Sequence, residues 1–267
     1  MLIDANLIIK EKIFLNLLPF RIQISQFKMK HIPNIITSLN LLSGFVAIIF
    51  AANGNIITAS WLILAAMIFD FLDGFSARLL KAYSTIGKEL DSLADVVSFG
   101  VAPGLIIYHL LNDTLSLSSS PVLNSEVLKF IILMIIPAIM PVCGALRLAV
   151  FNVDSTQANT FKGLPIPANA LAVISVVIAG HNSQSLIFNS FTSSAFLLIL
   201  FTIILSLLMV SRIPLLSLKV ANLKFKGNEG RYILVGMVLI VFAIFRINAF
   251  PLIIPLYIIA SALSLLF

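Results

Sequence analysis

An all-α membrane protein, a polytopic helical bundle of about eight transmembrane helices, is the fold class this sequence predicts. Three observations predict it. Hydrophobic residues make up 60% of the 267 and charged residues only 10%, with a mean hydropathy of +1.11, far from the usage of soluble domains. Apolar runs of about twenty residues, the length that crosses a bilayer core, recur through the chain. Lysine and arginine concentrate in alternate loops between those runs.

Residues 1–30 carry Lys10, Lys12, Arg21, Lys28 and Lys30 between short apolar runs such as Ile13 to Phe20, none of spanning length. No small-residue cleavage site follows an apolar region of the right kind, which argues against a cleaved signal peptide. This extension is expected to lie on the cytoplasmic surface, as an interfacial amphipathic helix or without order, unless Met29 is the native start. A single transmembrane domain is expected to fill 31–267. Its spans are predicted at 32–52, 56–80, 86–111, 127–150, 166–181, 192–211, 231–246 and 249–266. Pro103 and Pro137 are expected to kink the third and fourth spans, and Pro251 and Pro255 to bend the last.

Orientation follows from the basic residues. The N-terminus and the loops near 81–88, 151–165 and 212–231 hold or adjoin all of them except Lys129 and Arg246. The loops at Asn53 to Asn55, Asn112 to Ser125 and His181 to Gln184 hold none. Both termini are therefore predicted to be cytoplasmic. The net charge of +6 needs no nucleic acid to explain it, because anionic headgroups attract the same basic loops. Cys143, the one cysteine, excludes an internal disulfide and any cysteine-rich zinc site, and reads as packing.

The polar exception is the stretch from Asp70 to Asp95, which holds four aspartates. On helices, Asp70 and Asp73 stand at i, i+3 and Asp91 and Asp95 at i, i+4, so each pair shares a face at about 5–6 Å. Carboxylates so placed repel unless they are protonated or bridged by cations, and oxygen-only anionic ligands suit Mg²⁺ or Mn²⁺. A two-metal site can clamp an in-line displacement at phosphorus. The plainer alternative pairs these aspartates with Arg78, Lys81 and Lys88 at a solvated helix end. A cation transporter is the competing functional class, since clustered acids can line a pathway. It fits poorly, because the acids adjoin a basic loop and no paired half-helices are evident.

The spacing Asp-x2-Asp-Gly-x2-Ala-Arg-x8-Gly-x3-Asp-x3-Asp resembles the signature of the CDP-alcohol phosphatidyltransferases. The flanking strings His31 to Gly44, Asp91 to Pro103, Ala145 to Asn152, Gly163 to Ala168 and Leu208 to Ser211 resemble the membrane-embedded, serine-using branch of that family. Val150 departs from it, standing where a second arginine is usual. The resemblance implies a homodimeric membrane enzyme that moves a phosphatidyl group from CDP-diacylglycerol to L-serine and releases CMP. It implies that Asp70, Asp73, Asp91 and Asp95 hold two divalent cations, with Asp95 also the base for the incoming hydroxyl. Glycerol 3-phosphate or inositol phosphate are the alternative acceptors within the family.

Around the aspartates, Gly74, Ala77 and Gly87 are small enough for a nucleotide to approach the helix backbones. Arg78 can either neutralise phosphate or hold Asp73. Thr37, Asn40 and Gly44 form a stripe on the first span that suits either the nucleotide or interhelical packing. Arg147, Asn152 and Lys162 are the candidates for acceptor binding, with Arg147 favoured for the serine carboxylate. His31 and His109 have no evident partner for nucleophilic chemistry and His181 falls on the opposite side of the membrane, so all three read as interfacial.

Overall fold

The structure, a computed structural model, describes residues 31–117, 125–154, 161–182, 190–216 and 228–264. The N-terminal extension and the basic stretch 219–226 lie outside them. Nine helices order the described chain. Helix α1 is His31–Ala52, α2 Ile56–Leu79 and α3 Thr85–Asp95; a π-helical segment, Val96–Val101, joins α3 to α4, Ala102–Leu117. Helix α5 is Glu126–Val153, α6 Ile166–Asn182, α7 Ala195–Val210 and α8 Glu229–Phe245; a 3-10 segment, Arg246–Leu252, leads into α9, Ile253–Leu263.

Local chemistry explains the boundaries. Between α1 and α2, Gly54 takes φ +80, and the Asn55 side chain accepts from the Thr58 N–H at 3.2 Å to cap α2. Ser84 caps α3 in the same manner, accepting from the Gly87 N–H at 2.9 Å. The π segment ends where Pro103 begins to act. A proline ring collides with the carbonyl four residues back, here Phe99, and widening the helix there relieves the collision. The expected kink at Pro103 is thus taken up as a π turn.

Five stretches are long and apolar enough to cross a bilayer: His31–Ala52, Ile56–Leu79, Thr85–Ser116, Glu126–Val153 and Glu229–Leu263. Helices α6 and α7, at 17 and 16 residues, are shorter than the usual span, so length alone does not reach the predicted eight. The last stretch is not one rod. Helices α8 and α9 pack on each other, so the chain doubles back around Arg246, which takes φ 52. Pro251 lies in the 3-10 segment and Pro255 near the start of α9, where a missing N–H disturbs least.

Helix α6 is the centre of the bundle. Before its last two residues it is apolar apart from the buried Asn169 and Ser175, and Ala170, Val173, Ile174, Val177 and Ile178 are all buried. Phe99, Ile106, Leu111, Met140 and Leu198 pack the same core. The outside is apolar too: Phe45, Trp61, Ile68, Phe130, Ile135, Leu207 and Leu239 are exposed. Water does not tolerate a belt of that extent, and lipid does, so the chain is a multi-pass membrane protein.

Two contacts set the position of the functional elements. A Cβ on Gly100 would lie 3.1 Å from Pro141 Cα, and one on Gly104 would lie 2.9 Å from the Pro137 carbonyl oxygen. Helix α5 therefore runs against the π segment and α4 with prolines seated on glycines. Near Lys162 the chain makes a two-residue antiparallel pairing, Phe161–Lys162 with Pro214–Leu215. It is too short to leave any signal in the sequence.

Candidate active site

Helix α2 delivers Asp70 and Asp73 from its last turns, and α3 delivers Asp91 and Asp95. Asp70, Asp91 and Asp95 each offer a carboxylate oxygen, and the three oxygens lie within 4.8 Å of one another. Asp73 stands outside this triad, yet its charge acts on Asp70, Asp91 and Asp95. Asp73 is 5% exposed and Asp95 7%. None of the four is ion-paired among the described residues: Lys88 donates instead to the Asn152 carbonyl at 3.1 Å, and Arg78 is exposed on the cavity rim. The solvated helix-end alternative is thereby overturned.

Four clustered acids without an ion-pair partner among the described residues, two of them buried and two half-buried, with Oδ1 of Asp91 lacking any hydrogen-bond donor, call for a positive ligand. The donor set is oxygen only, which fits a hard divalent cation such as Mg²⁺ or Mn²⁺.

Helix α1 fixes two of the acids. Thr37 donates from Oγ1 to Asp73 Oδ2 at 2.5 Å, and Asn40, fully buried, donates from Nδ2 to Asp95 Oδ1 at 3.4 Å. Ser98, in the π segment, donates to the Asn40 carbonyl at 3.1 Å. Gly44 permits this approach, since a Cβ there would sit 2.1 Å from Ser98 Oγ. The stripe Thr37, Asn40, Gly44 is thus spent on the aspartates and on helix packing.

The glycines divide. A Cβ on Gly74 would meet nothing within 4 Å, so its face is open to a ligand, as is the half-buried Ala77 beside it. A Cβ on Gly87 would lie 2.8 Å from Asn34 Oδ1, so that glycine serves packing against α1.

A cavity of about 860 Å³ opens on Asp91 and Asp95. Phe71, Phe75, Arg78, Arg147, Asn152 and Tyr257 are among its walls. Arg147 is 9% exposed, its charge acts on Asp95, and its guanidinium lies 5.9 Å from the Phe151 ring centroid. Its Nε has no partner. Asn152, in the same wall, donates from Nδ2 to Ser92 Oγ at 2.9 Å, tying the end of α5 to α3. Lys162 is ion-paired with Asp154 at 3.7 Å and lines a neighbouring cavity instead. Sequence reasoning missed Tyr257, whose hydroxyl donates to the Leu216 carbonyl at 2.9 Å. Only folding brings α9 to this wall. His109 lies far from the acids, against the Ala52 carbonyl at the α1–α2 turn.

Acids converging from two helices, beside a cavity with a buried guanidinium, define a membrane enzyme site for a phosphate-bearing substrate. The chain belongs to the CDP-alcohol phosphatidyltransferase family, which its residues 30–208 match. Among curated relatives, it is 34% identical over 237 residues to the CDP-diacylglycerol–serine O-phosphatidyltransferase of Helicobacter pylori, covering 88% of this chain and 91% of that one. The Bacillus subtilis protein of the same name is 36% identical over 185 residues, covering 69% of this chain and 89% of the relative. The archaetidylserine synthase of Methanothermobacter thermautotrophicus is 35% identical over 184 residues, covering 68% of each.

Proposed function

We propose that this protein transfers the phosphatidyl group of CDP-diacylglycerol to the hydroxyl of L-serine, giving phosphatidylserine and CMP. The observation that carries the reading is the convergence of Asp70, Asp91 and Asp95 within 4.8 Å, with Asp91 and Asp95 lining the cavity. The names of the relatives supply the substrates.

Asp70, Asp73, Asp91 and Asp95 would hold two divalent cations, which when bound neutralise pyrophosphate charge and stabilise the departing phosphate of CMP. Asp95 accepts the serine hydroxyl proton as the oxygen attacks the phosphorus attached to diacylglycerol and the bond to CMP breaks. Thr37 and Asn40 act through the acids they hold. Gly74 and Ala77 leave room for the nucleotide, and Arg78 on the cavity rim meets its phosphate. Arg147 takes the serine carboxylate, a charge that simple alcohols lack. Asn152 positions α3 for this chemistry, and Lys162 adds positive charge beside Arg147.

The site faces the cytoplasm in this reading, with both termini on the same side, because the basic loops adjoin the ends of α2 and α3. Residues 31–267 act as one transmembrane unit, with 1–30 as an interfacial extension, and the unit pairs as a homodimer. Sizing of the detergent-solubilised protein tests the pairing.

The deciding experiment supplies purified protein with CDP-diacylglycerol and a panel of alcohols, with and without divalent cation, and measures CMP release. Serine should support release only with cation present, and Asp95→Asn should abolish it. Release with glycerol 3-phosphate or inositol phosphate in place of serine would reassign the acceptor.

A further inference from the structure

The cavity that opens on Asp91 and Asp95 also has an apolar lining, to which Pro165, Ile166, Pro167, Leu216 and Tyr257 contribute. The backbone there offers water little to bond. Pro165 and Pro167 have no N–H, the Pro165 carbonyl accepts from the Asn169 N–H at 3.0 Å, and Ile166 is fully buried.

Leu216 is the weak point of such a lining, because it belongs to no helix or strand that would pair its backbone. Helix α9 pairs it instead. The Leu216 N–H donates to Ser261 Oγ at 3.1 Å, and its carbonyl accepts from the Tyr257 hydroxyl at 2.9 Å. Tyr257 and Ser261 stand one turn apart, both buried, and Ser261 Oγ donates in turn to the Tyr257 carbonyl at 2.7 Å. The Leu216 side chain rests on α8, where a Cβ on Gly230 would lie 3.2 Å from Leu216 Cδ1. One residue of irregular chain is thus fixed at its N–H, its carbonyl and its side chain by two helices. Left unpaired, the same two backbone groups would recruit water into the cavity.

Water matters here because a phosphorus open to attack by one hydroxyl is open to another, and water is far more concentrated than any dissolved alcohol. Its oxygen would bond to the phosphorus attached to diacylglycerol as the bond to CMP breaks, its proton would pass to Asp95, and the product would be phosphatidate. We infer that Tyr257 and Ser261 are positioning residues that, through Leu216, keep water from the cavity and so commit the phosphatidyl group to the acceptor alcohol. This rests on the phosphatidyl-transfer reading above.

The test gives the purified full-length protein CDP-diacylglycerol, divalent cation and a fixed concentration of serine, and measures phosphatidylserine and phosphatidate separately. Tyr257→Phe keeps the ring in place and frees the Leu216 carbonyl; Ser261→Ala frees its N–H. Each should raise the ratio of phosphatidate to phosphatidylserine by about two- to tenfold, the effect of one lost hydrogen bond. The KM for CDP-diacylglycerol should hold. Thr114→Val is the control for simple loosening of the bundle. It loses hydrogen bonds to the Leu110 and Thr192 carbonyls at the end of α4 remote from Asp95, and its ratio should match that of the unaltered protein. If Tyr257→Phe fails to fold, Ser261→Ala reads the same ratio. A constant ratio in the α9 variants, with or without loss of turnover, overturns the inference, and so does an equal rise in Thr114→Val. Failure of the unaltered protein to transfer the phosphatidyl group to any alcohol would instead remove the reading on which it rests.

Discussion

Gly44→Ala puts a single methyl group into the contact between α1 and the π segment. The added Cβ would lie 2.7 Å from Ser98 Cα, and ordinary contact begins at 3.4 Å, so α1 must withdraw locally by roughly 0.7 Å. Ser98 Oγ is closer still, but it can rotate; the backbone cannot. One helical turn away, Asn40 reaches Asp95 at 3.4 Å, already at the limit of a hydrogen bond, and a shift of that size breaks it. Overpacking of this kind costs about 1–3 kcal/mol of stability. Displacing a group near the chemistry by a fraction of an ångström to 1 Å lowers kcat by about tenfold to a hundredfold. The assay is CMP release from CDP-diacylglycerol and serine, with thermal unfolding in detergent alongside. Gly74→Ala is the control, because its methyl would meet nothing within 4 Å, and its stability should stay within about 0.5 kcal/mol. Wild-type turnover and melting in Gly44→Ala would refute the claim that α1 sets the position of Asp95.

Three further outcomes are expected. Thr37→Val keeps the shape of the side chain but removes the 2.5 Å bond to Asp73, and turnover should fall by roughly tenfold or more with little change in fold. Arg147→Ala should raise the KM for serine by about tenfold or more and leave that for CDP-diacylglycerol nearly unchanged; equal effects on both would remove its role at the carboxylate. Gly163→Ala should destabilise the protein by about 1–3 kcal/mol, since Gly163 takes φ +78 and a Cβ there would sit 2.5 Å from the Met209 carbonyl oxygen; unfolding in detergent reads it.

The acids were legible because their relation is local. Spacings of three and four residues place Asp70 with Asp73 and Asp91 with Asp95 whatever the rest of the chain does, and only the meeting of α2 and α3 had to be supplied by folding. The span boundaries of α1, α2 and α5 were legible for the same reason: hydropathy runs and caps are written in consecutive residues. What escaped depends on distant pairs. The bond from Asn40 to Asp95 joins residues 55 apart, and the stripe on α1 looks the same in sequence whether it faces a nucleotide or a carboxylate. Asn152 lines the cavity, and its amide also donates to Ser92, a bond between residues 60 apart that no local pattern shows. The reversal at Arg246, which brings α9 and Tyr257 back to the site, follows an apolar run that hydropathy cannot tell from a straight continuation.

The seating of Pro137 and Pro141 on Gly104 and Gly100 has a mechanical consequence. Asp95 lies just before this crossing on one helix, and Arg147 just after it on the other, so the crossing is a fulcrum with one reacting partner on each arm. That crossing is built from the residues of the two elements themselves. Two polypeptides produced separately, one ending after α4 and the other beginning at α5, should therefore reassemble with the acid and the guanidinium in register.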